Sequence, residues 1–122
     1  MKDFRQLRAW EKAHQLTLAV YGLTSGFPND EKFGLTSQVR RCSASIAANI
    51  AEGCGRTNDG DFCRFLDVAM GSTTELDYHL LLARDLGLID KRKYDEFHTR
   101  IFEVKRMLST LIRKIQDDRR AQ

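Results

Sequence analysis

The sequence predicts an all-α protein, built as an antiparallel up-down-up-down four-helix bundle. Apolar residues recur at alternating steps of three and four along four long segments, which is the spacing of amphipathic helices. One proline and eight glycines among 122 residues are too few for the many turns of a β protein. The helix-breaking residues fall at 26–30, 53–60 and 87–90, so the loops are short and consecutive helices pack antiparallel.

The first two helices are predicted over residues 5–25 and 33–53. The apolar seam of the first consists of Ala9, Ala13, Leu16, Val20 and Leu23, beside a second stripe of Trp10, His14, Thr17, Tyr21 and Thr24. The seam of the second consists of Leu35, Val39, Cys42, Ile46, Ile50 and Gly53. Gly26 and Pro28 end the first helix, because glycine suits a left-handed C-terminal cap and proline cannot continue a helix.

The last two helices are predicted over residues 58–86 and 90–117. The seam of the third consists of Phe62, Leu66, Ala69, Thr73, Leu76, Leu80 and Ala83. The fourth has an unbroken seam of Tyr94, Phe97, Ile101, Val104, Leu108, Leu111 and Ile115. Asn58 and its neighbours offer capping oxygens to the third helix, and Gly87 ends it.

Small and apolar residues outside the seams predict close packing and self-association. The second helix carries small side chains that let a neighbouring helix approach, at Ser43, Ala44, Ser45, Ala47, Ala48 and Ala51. Gly22 and Gly71 lie inside helices, and we expect them to leave room for a large side chain such as Trp10 or Phe65; the alternative is that they are merely tolerated. Phe102, Met107 and Ile112 widen the apolar face of the fourth helix. Such wide faces favour association of copies over a thicker single core.

Composition limits the class of protein. We expect one domain over residues 1–122, and the 42% hydrophobic and 30% charged content excludes disordered, collagen-like and disulfide-rich classes. No apolar run approaches the length of a membrane span. The charged start, Met1 to Arg5, leads into no apolar segment of a secretory signal. An odd cysteine count, three, fits the cytoplasm.

Charge is unevenly distributed. Residues 58–89 contain two basic and six acidic residues, whereas residues 90–122 contain ten basic and six acidic ones. The basic residues predict a phosphate-binding surface for nucleic acid, read by shape and charge, since no base-stacking or helix-turn-helix pattern is present. The candidates are Lys91, Arg92, Lys93, Lys105, Arg106, Arg113, Lys114, Arg119 and Arg120. The alternative is that these charges only pair neighbouring helices or subunits.

No set of residues predicts catalysis, a cofactor or a metal site, and a bundle that binds a small molecule or a metal is only a third, weaker hypothesis. Cys42 lies in an apolar seam and is expected in the core, and the spacing of Cys54 and Cys63 fits no zinc site. The three histidines lie in different helices without a histidine partner one turn away, and phosphate-loop and nucleophile-elbow motifs are absent. We therefore expect a protein that is not an enzyme.

A polar stripe follows one side of the second helix. It consists of Gln38, Arg41, Ser45, Asn49, Glu52 and Arg56, and Glu75 lies on the third helix. A buried Arg41 or Arg56 paired with Glu52 or Glu75 would fix helix register or a subunit contact. We expect such internal pairing in preference to contact between Arg56 and a ligand.

A composite of short motifs points to a known family. The run S-I-A-A-N-I-A-E-G at 45–53 is followed by Arg56, F-x-x-F-L at 62–66 and A-x-G-S at 69–72. The opening has L-x-x-W-x-x-A at 7–13. Together these resemble the four-helix bundle proteins encoded in intervening sequences of bacterial 23S ribosomal RNA genes.

The resemblance implies a left-handed bundle that assembles into a homopentameric ring. It also implies kinship with the accessory variability protein of diversity-generating retroelements, a basic pentamer that binds reverse transcriptase and nucleic acid. We therefore expect a non-enzymatic, homo-oligomeric scaffold that binds structured RNA or other nucleic acid. The alternative is a protein-interaction module that docks a partner such as a reverse transcriptase, with its charges used for subunit pairing.

Overall fold

A computed structural model describes residues 3–121 of the chain. Four helices form the bundle: α1 (Arg8–Thr24), α2 (Leu35–Cys54), α3 (Asp59–Asp85) and α4 (Lys91–Ala121). Short 3-10 turns at Phe4–Gln6 and Asn29–Glu31 precede α1 and α2. Residues 3–121 contain no strand. The predicted all-α four-helix bundle is confirmed.

Neighbouring helices run antiparallel, and the contacts between α2 and α3 illustrate the register. Arg41 contacts Glu75, while Ser45, one turn further along α2, contacts Ser72 nearer the start of α3. The same reversal relates α1 to α2 and α3 to α4. Helix α4 returns to pack on α1, whereas α1 and α3 lie at opposite corners of the bundle.

The core lies along the four predicted seams. Every predicted seam residue of α2 and α3 is buried. On α1 and α4 the seam is buried except at Leu23, Tyr94 and Leu111, which are partly buried. The agreement follows from the helical period, since residues three and four apart share one face. Within residues 3–121, no helix has an apolar stretch long enough to cross a membrane.

The helix ends differ from the predicted ones. Gly87 has a φ of 80° and is the only described glycine with a positive φ. Its N–H donates to the Arg84 carbonyl and that of Leu88 to the Ala83 carbonyl, which is a Schellman motif. The left-handed cap predicted at Gly26 is wrong. Helix α4 continues to Ala121, beyond the predicted end at 117, because no helix-breaking residue follows its seam.

Glycines play two different parts in the packing. At Gly53 a Cβ atom would lie 2.8 Å from Cδ1 of Phe62 and 3.0 Å from Cβ of Phe65, so a larger residue would push α2 and α3 apart. At Gly22 and Gly71 a Cβ atom would meet nothing within 4 Å. The prediction that these two leave room for a large side chain of the same chain is therefore wrong.

Candidate nucleic-acid interface

All nine predicted basic residues lie on α4, but their surroundings differ. Every one except the partly buried Lys105 is exposed. Lys91 and Lys93 pair with carboxylates one turn ahead in α4, and Arg120 pairs with Asp117 at 2.7 Å. These three cations are therefore partly neutralised within their own helix.

Two further predicted bases pack towards α3. The ammonium of Lys105 donates a hydrogen bond of 3.2 Å to the Thr74 hydroxyl. The guanidinium of Arg119 lies over Gly60, about 3.5 Å from where a Cβ atom would stand. Both side chains therefore lie close to residues of α3.

A groove of about 450 Å³ lies between α1 and α4. Its apolar lining includes Leu7, Ala9, Met107 and Leu111. Three cations also line it, and they are Arg8, Arg106 and Lys114. The structure thus brings Arg8, a basic residue of α1, to the predicted bases of α4.

We define the basic rim as Arg8, Arg106, Lys114 and the exposed Arg113, which adjoins Lys114 in α4. Within residues 3–121 none of these four cations forms an ion pair. Sequence analysis did not include Arg8 among the candidates because it lies far from the α4 bases in the chain. Only the packing of α1 on α4 joins the two regions.

The acidic α3 does not neutralise the basic α4. Among described residues, no Lys or Arg of α4 pairs with a carboxylate of α3. Asp77 instead accepts a hydrogen bond of 2.7 Å from the Tyr94 hydroxyl and lies 3.1 Å from Nδ1 of His98. Burial, followed by the contact with Asp77, raises the pKa of Tyr94 to about 12.

The predicted polar stripe connects α2 with α3 at the surface. Arg41 donates to a Glu75 carboxylate oxygen at 2.7 Å and to the Gln38 side chain at 2.8 Å. The Arg41 side chain is 56% exposed, so this pair is not buried as expected. The Ser45 and Ser72 hydroxyls lie 3.0 Å apart. Asn49, the next member of the stripe, donates to the Ser45 carbonyl and hydroxyl oxygens.

Arg56 and Glu52 behave differently from the prediction. The guanidinium of Arg56 lies 4.5 Å from the centroid of the Phe65 ring. Glu52 is exposed, and in the described part of the chain it has no ion-pair partner. Of the predicted alternatives, the ion pair joins Arg41 to Glu75, whereas within residues 3–121 Arg56 has no carboxylate partner, because α2 ends before it.

Cys42, Glu75 and His79 meet beside this stripe. Nε2 of His79 lies 3.2 Å from Oε2 of Glu75, and one ligand atom from each of the three side chains lies within 4.8 Å of the other two. The contacts with His79 and Arg41 lower the pKa of Glu75 despite partial burial. Burial, and then the Glu75 charge, raises the pKa of Cys42 to about 12.

Sequence analysis did not connect these three residues. The sequence predicts Cys42 in the core, and none of the three histidines has a second histidine one turn away. Glu75 and His79 stand four residues apart, which puts them on one face of α3, and this spacing was the available signal. The lateral register of α2 and α3 then brings Cys42 to them.

Comparison with known proteins identifies the family. Residues 5–110 match the family of 23S rRNA-intervening sequence proteins. The chain belongs to this family. The resemblance noted from the sequence motifs is therefore confirmed. The name of the family refers to an intervening sequence and describes no enzymatic activity. No curated protein matches the chain.

One solved structure supports the fold of this intervening-sequence protein. It is a protein with unknown function from the S23 ribosomal protein family of Bacteroides thetaiotaomicron. The two chains share 24% identity with a TM-score of 0.80, over 86% of this chain and 95% of the other. At this identity the likeness shows a common fold and nothing about activity.

Proposed function

We propose that this intervening-sequence protein is a non-enzymatic, homo-oligomeric scaffold that binds structured RNA through the basic rim. The observation that carries the proposal is that the four rim cations, Arg8, Arg106, Arg113 and Lys114, form no ion pair within residues 3–121. Cations without carboxylate partners can neutralise phosphates and release their counterions. The odd cysteine count, three, supports placing this function in the cytoplasm.

Matched double variants test the basic rim. We expect Arg113→Gln with Lys114→Gln to weaken binding to a structured RNA and to reduce the dependence of affinity on salt, by about one unit of logarithmic slope for each phosphate that is no longer neutralised. Lys91→Gln with Lys93→Gln is the control, because it lowers the net charge equally but removes cations already paired in α4. Fluorescence anisotropy over a salt series measures both.

The outcomes separate local from general electrostatics. If both double variants weaken RNA binding equally, the basic rim has no specific role and the overall charge alone explains the binding. Absence of RNA binding by the wild-type protein at low salt would remove the proposal of nucleic-acid binding altogether.

Exposed apolar residues at opposite corners of the bundle support self-association. On α1 they are Leu18 and Tyr21, 59% and 43% exposed. On α3 they include Tyr78, which is 58% exposed. The two mid-helix glycines, Gly22 and Gly71, lie on these same helices with open space beside them.

The positions of α1 and α3 favour a head-to-tail contact between copies. Because α1 and α3 do not touch within one chain, the α1 face of one copy can pair with the α3 face of the next, and such a contact can close a ring. The family resemblance implies a pentamer.

Two single variants and their mixture test this arrangement. We expect Leu18→Lys and Tyr78→Lys each to give a monomer by light scattering, because each removes one side of the contact. An equimolar mixture of the two should give a dimer, since one intact pair of faces remains. Phe33→Lys, a change at an apolar residue in the loop before α2 that is 89% exposed, is the control and should retain the oligomer.

Other outcomes have definite meanings. If one variant stays fully oligomeric while the other is monomeric, the contact joins like faces and the head-to-tail arrangement is wrong. A wild-type protein that is monomeric over the whole concentration range would contradict self-association itself.

A protein-interaction module is the alternative function, and the groove between α1 and α4 favours it. The apolar lining, with Leu7, Met107 and Leu111, suits a segment of a partner protein such as a reverse transcriptase, and the rim cations would then meet its acidic residues. This alternative would be favoured if the wild-type protein binds a purified reverse transcriptase but does not bind RNA at low salt.

A further inference from the structure

Three donor atoms of different chemistry converge between α2 and α3. They belong to the Cys42 thiol, the Glu75 carboxylate and the His79 imidazole, and they lie within 4.8 Å of one another. Ligands of one tetrahedral zinc ion lie about 3.5 Å apart, given metal–ligand distances of about 2.0 to 2.3 Å. Binding of one ion therefore requires the three donors to approach from within 4.8 Å to about 3.5 Å of one another.

The two nitrogens of the His79 ring have different surroundings. Its Nε2 atom lies 3.2 Å from Oε2 of Glu75, whereas its Nδ1 atom is buried and has no hydrogen-bond partner within residues 3–121. A buried polar atom without a partner is rare, because its desolvation is not compensated. Ligation through Nδ1 would give this atom a partner, whereas ligation through Nε2 would replace the contact with Glu75.

The combination of donors selects the class of ion. A thiolate with an imidazole and a carboxylate suits zinc and related transition metals, whereas magnesium and calcium prefer oxygen alone. Three protein ligands leave a fourth tetrahedral position for water. Arg41 donates a hydrogen bond to Oε2 of Glu75. Arg41 would not itself bind the ion, but it would orient the carboxylate that does.

We propose that Cys42, Glu75 and His79 bind one divalent transition-metal ion of the zinc class, which ties α2 to α3. Cys42 is fully buried, while the Glu75 side chain is 41% exposed. The ion therefore enters from the Glu75 side, and the proton of the Cys42 thiol is released to solvent as the metal–sulfur bond forms. This site is independent of the basic rim.

Cobalt(II) is the probe, because a thiolate bound to it gives a charge-transfer absorption band. Titration of metal-free full-length protein under reducing conditions should produce this band together with the visible bands of tetrahedral cobalt, with one ion per chain. Added zinc should then abolish both. We expect Cys42→Ser to remove the thiolate band, and Glu75→Gln or His79→Gln to weaken binding by roughly 10- to 100-fold or more.

Matched variants control for other cysteines and histidines. Cys63→Ser changes another buried cysteine, and His98→Gln changes a histidine bound to Asp77; both should keep the cobalt spectrum. Circular dichroism checks that each protein is folded. If Cys42→Ser unfolds, Glu75→Gln still tests the site, because Glu75 is partly exposed.

The proposal is overturned if folded wild-type protein gives no thiolate band with excess cobalt. It is also overturned if the band survives in Cys42→Ser, or if Glu75→Gln and His79→Gln both bind as tightly as the wild-type protein.

Discussion

The contact between α2 and α3, called here the α2–α3 seam, contains smaller side chains than the contact between α1 and α4, the α1–α4 seam. Where α2 meets α3, Gly53 lies against two phenylalanines and the Ser45 and Ser72 hydroxyls lie 3.0 Å apart. Where α1 meets α4, longer side chains such as Met107 and Arg106 border a groove of about 450 Å³. Seam residue size therefore sets how closely two helices approach.

The two seams also differ in how their charges are satisfied. Arg41 at the α2–α3 seam has both a carboxylate and an amide partner. Arg8 and Lys114 at the α1–α4 groove have no ion-pair partner among the described residues. The first seam is thus suited to holding the bundle together, and the second offers charge to a ligand.

Truncating a core leucine and a leucine beside the α1–α4 groove should give the largest difference. Leu76 is fully buried, so Leu76→Ala should lower the free energy of unfolding by about 2 to 5 kcal/mol. Leu111 is partly buried beside the groove, so Leu111→Ala should cost less than about 2 kcal/mol. Urea unfolding monitored by circular dichroism measures both, and equal losses would contradict a looser α1–α4 seam.

Alanine at two glycines should change stability in opposite directions. At Gly53 the added methyl group would overlap Phe62, so Gly53→Ala should cost about 1 to 3 kcal/mol. Gly71 has open space, so Gly71→Ala should stabilise the monomeric bundle by up to about 1 kcal/mol. Thermal unfolding at low protein concentration tests the pair. A stabilising Gly53→Ala would show that the two helices can separate without loss.

The smallest effect should come from the ion pair that crosses α1 and α4. The ammonium of Lys12 lies 3.6 Å from a Glu103 carboxylate oxygen, with both side chains partly exposed. A double-mutant cycle with Lys12→Ala and Glu103→Ala should give a coupling of about 0.2 to 1 kcal/mol that salt reduces. A larger, salt-insensitive coupling would show that this seam is held by charge.

Most of the fold was predictable, because burial on a helix depends on local spacing. Leu66, Leu76 and Leu108 were placed in seams by their steps of three and four, and all are fully buried. The ends were less predictable. Helix α2 begins at Leu35 after a 3-10 turn at Asn29–Glu31, and such short turns have no apolar period to reveal them.

The candidate sites were less predictable than the core. Periodicity gives the inward face of each helix but not the register between two helices. The meeting of Cys42 with His79, and of Arg8 with Lys114, depends on that register. Arg41 with Glu75 is one of the pairs that the sequence predicts, yet whether the pair lies inside or at the surface depends on neighbouring side chains. Exposed Gly71 could not be distinguished from a packed glycine by spacing alone.

The order of helix contacts has a consequence for how the chain acquires its structure. Three of the four seams join helices consecutive along the chain, and each can form as a local hairpin with little loss of loop entropy. Only the α1–α4 seam requires distant parts of the polypeptide to meet. We therefore expect this seam to close last during folding and to open first in native-state hydrogen exchange.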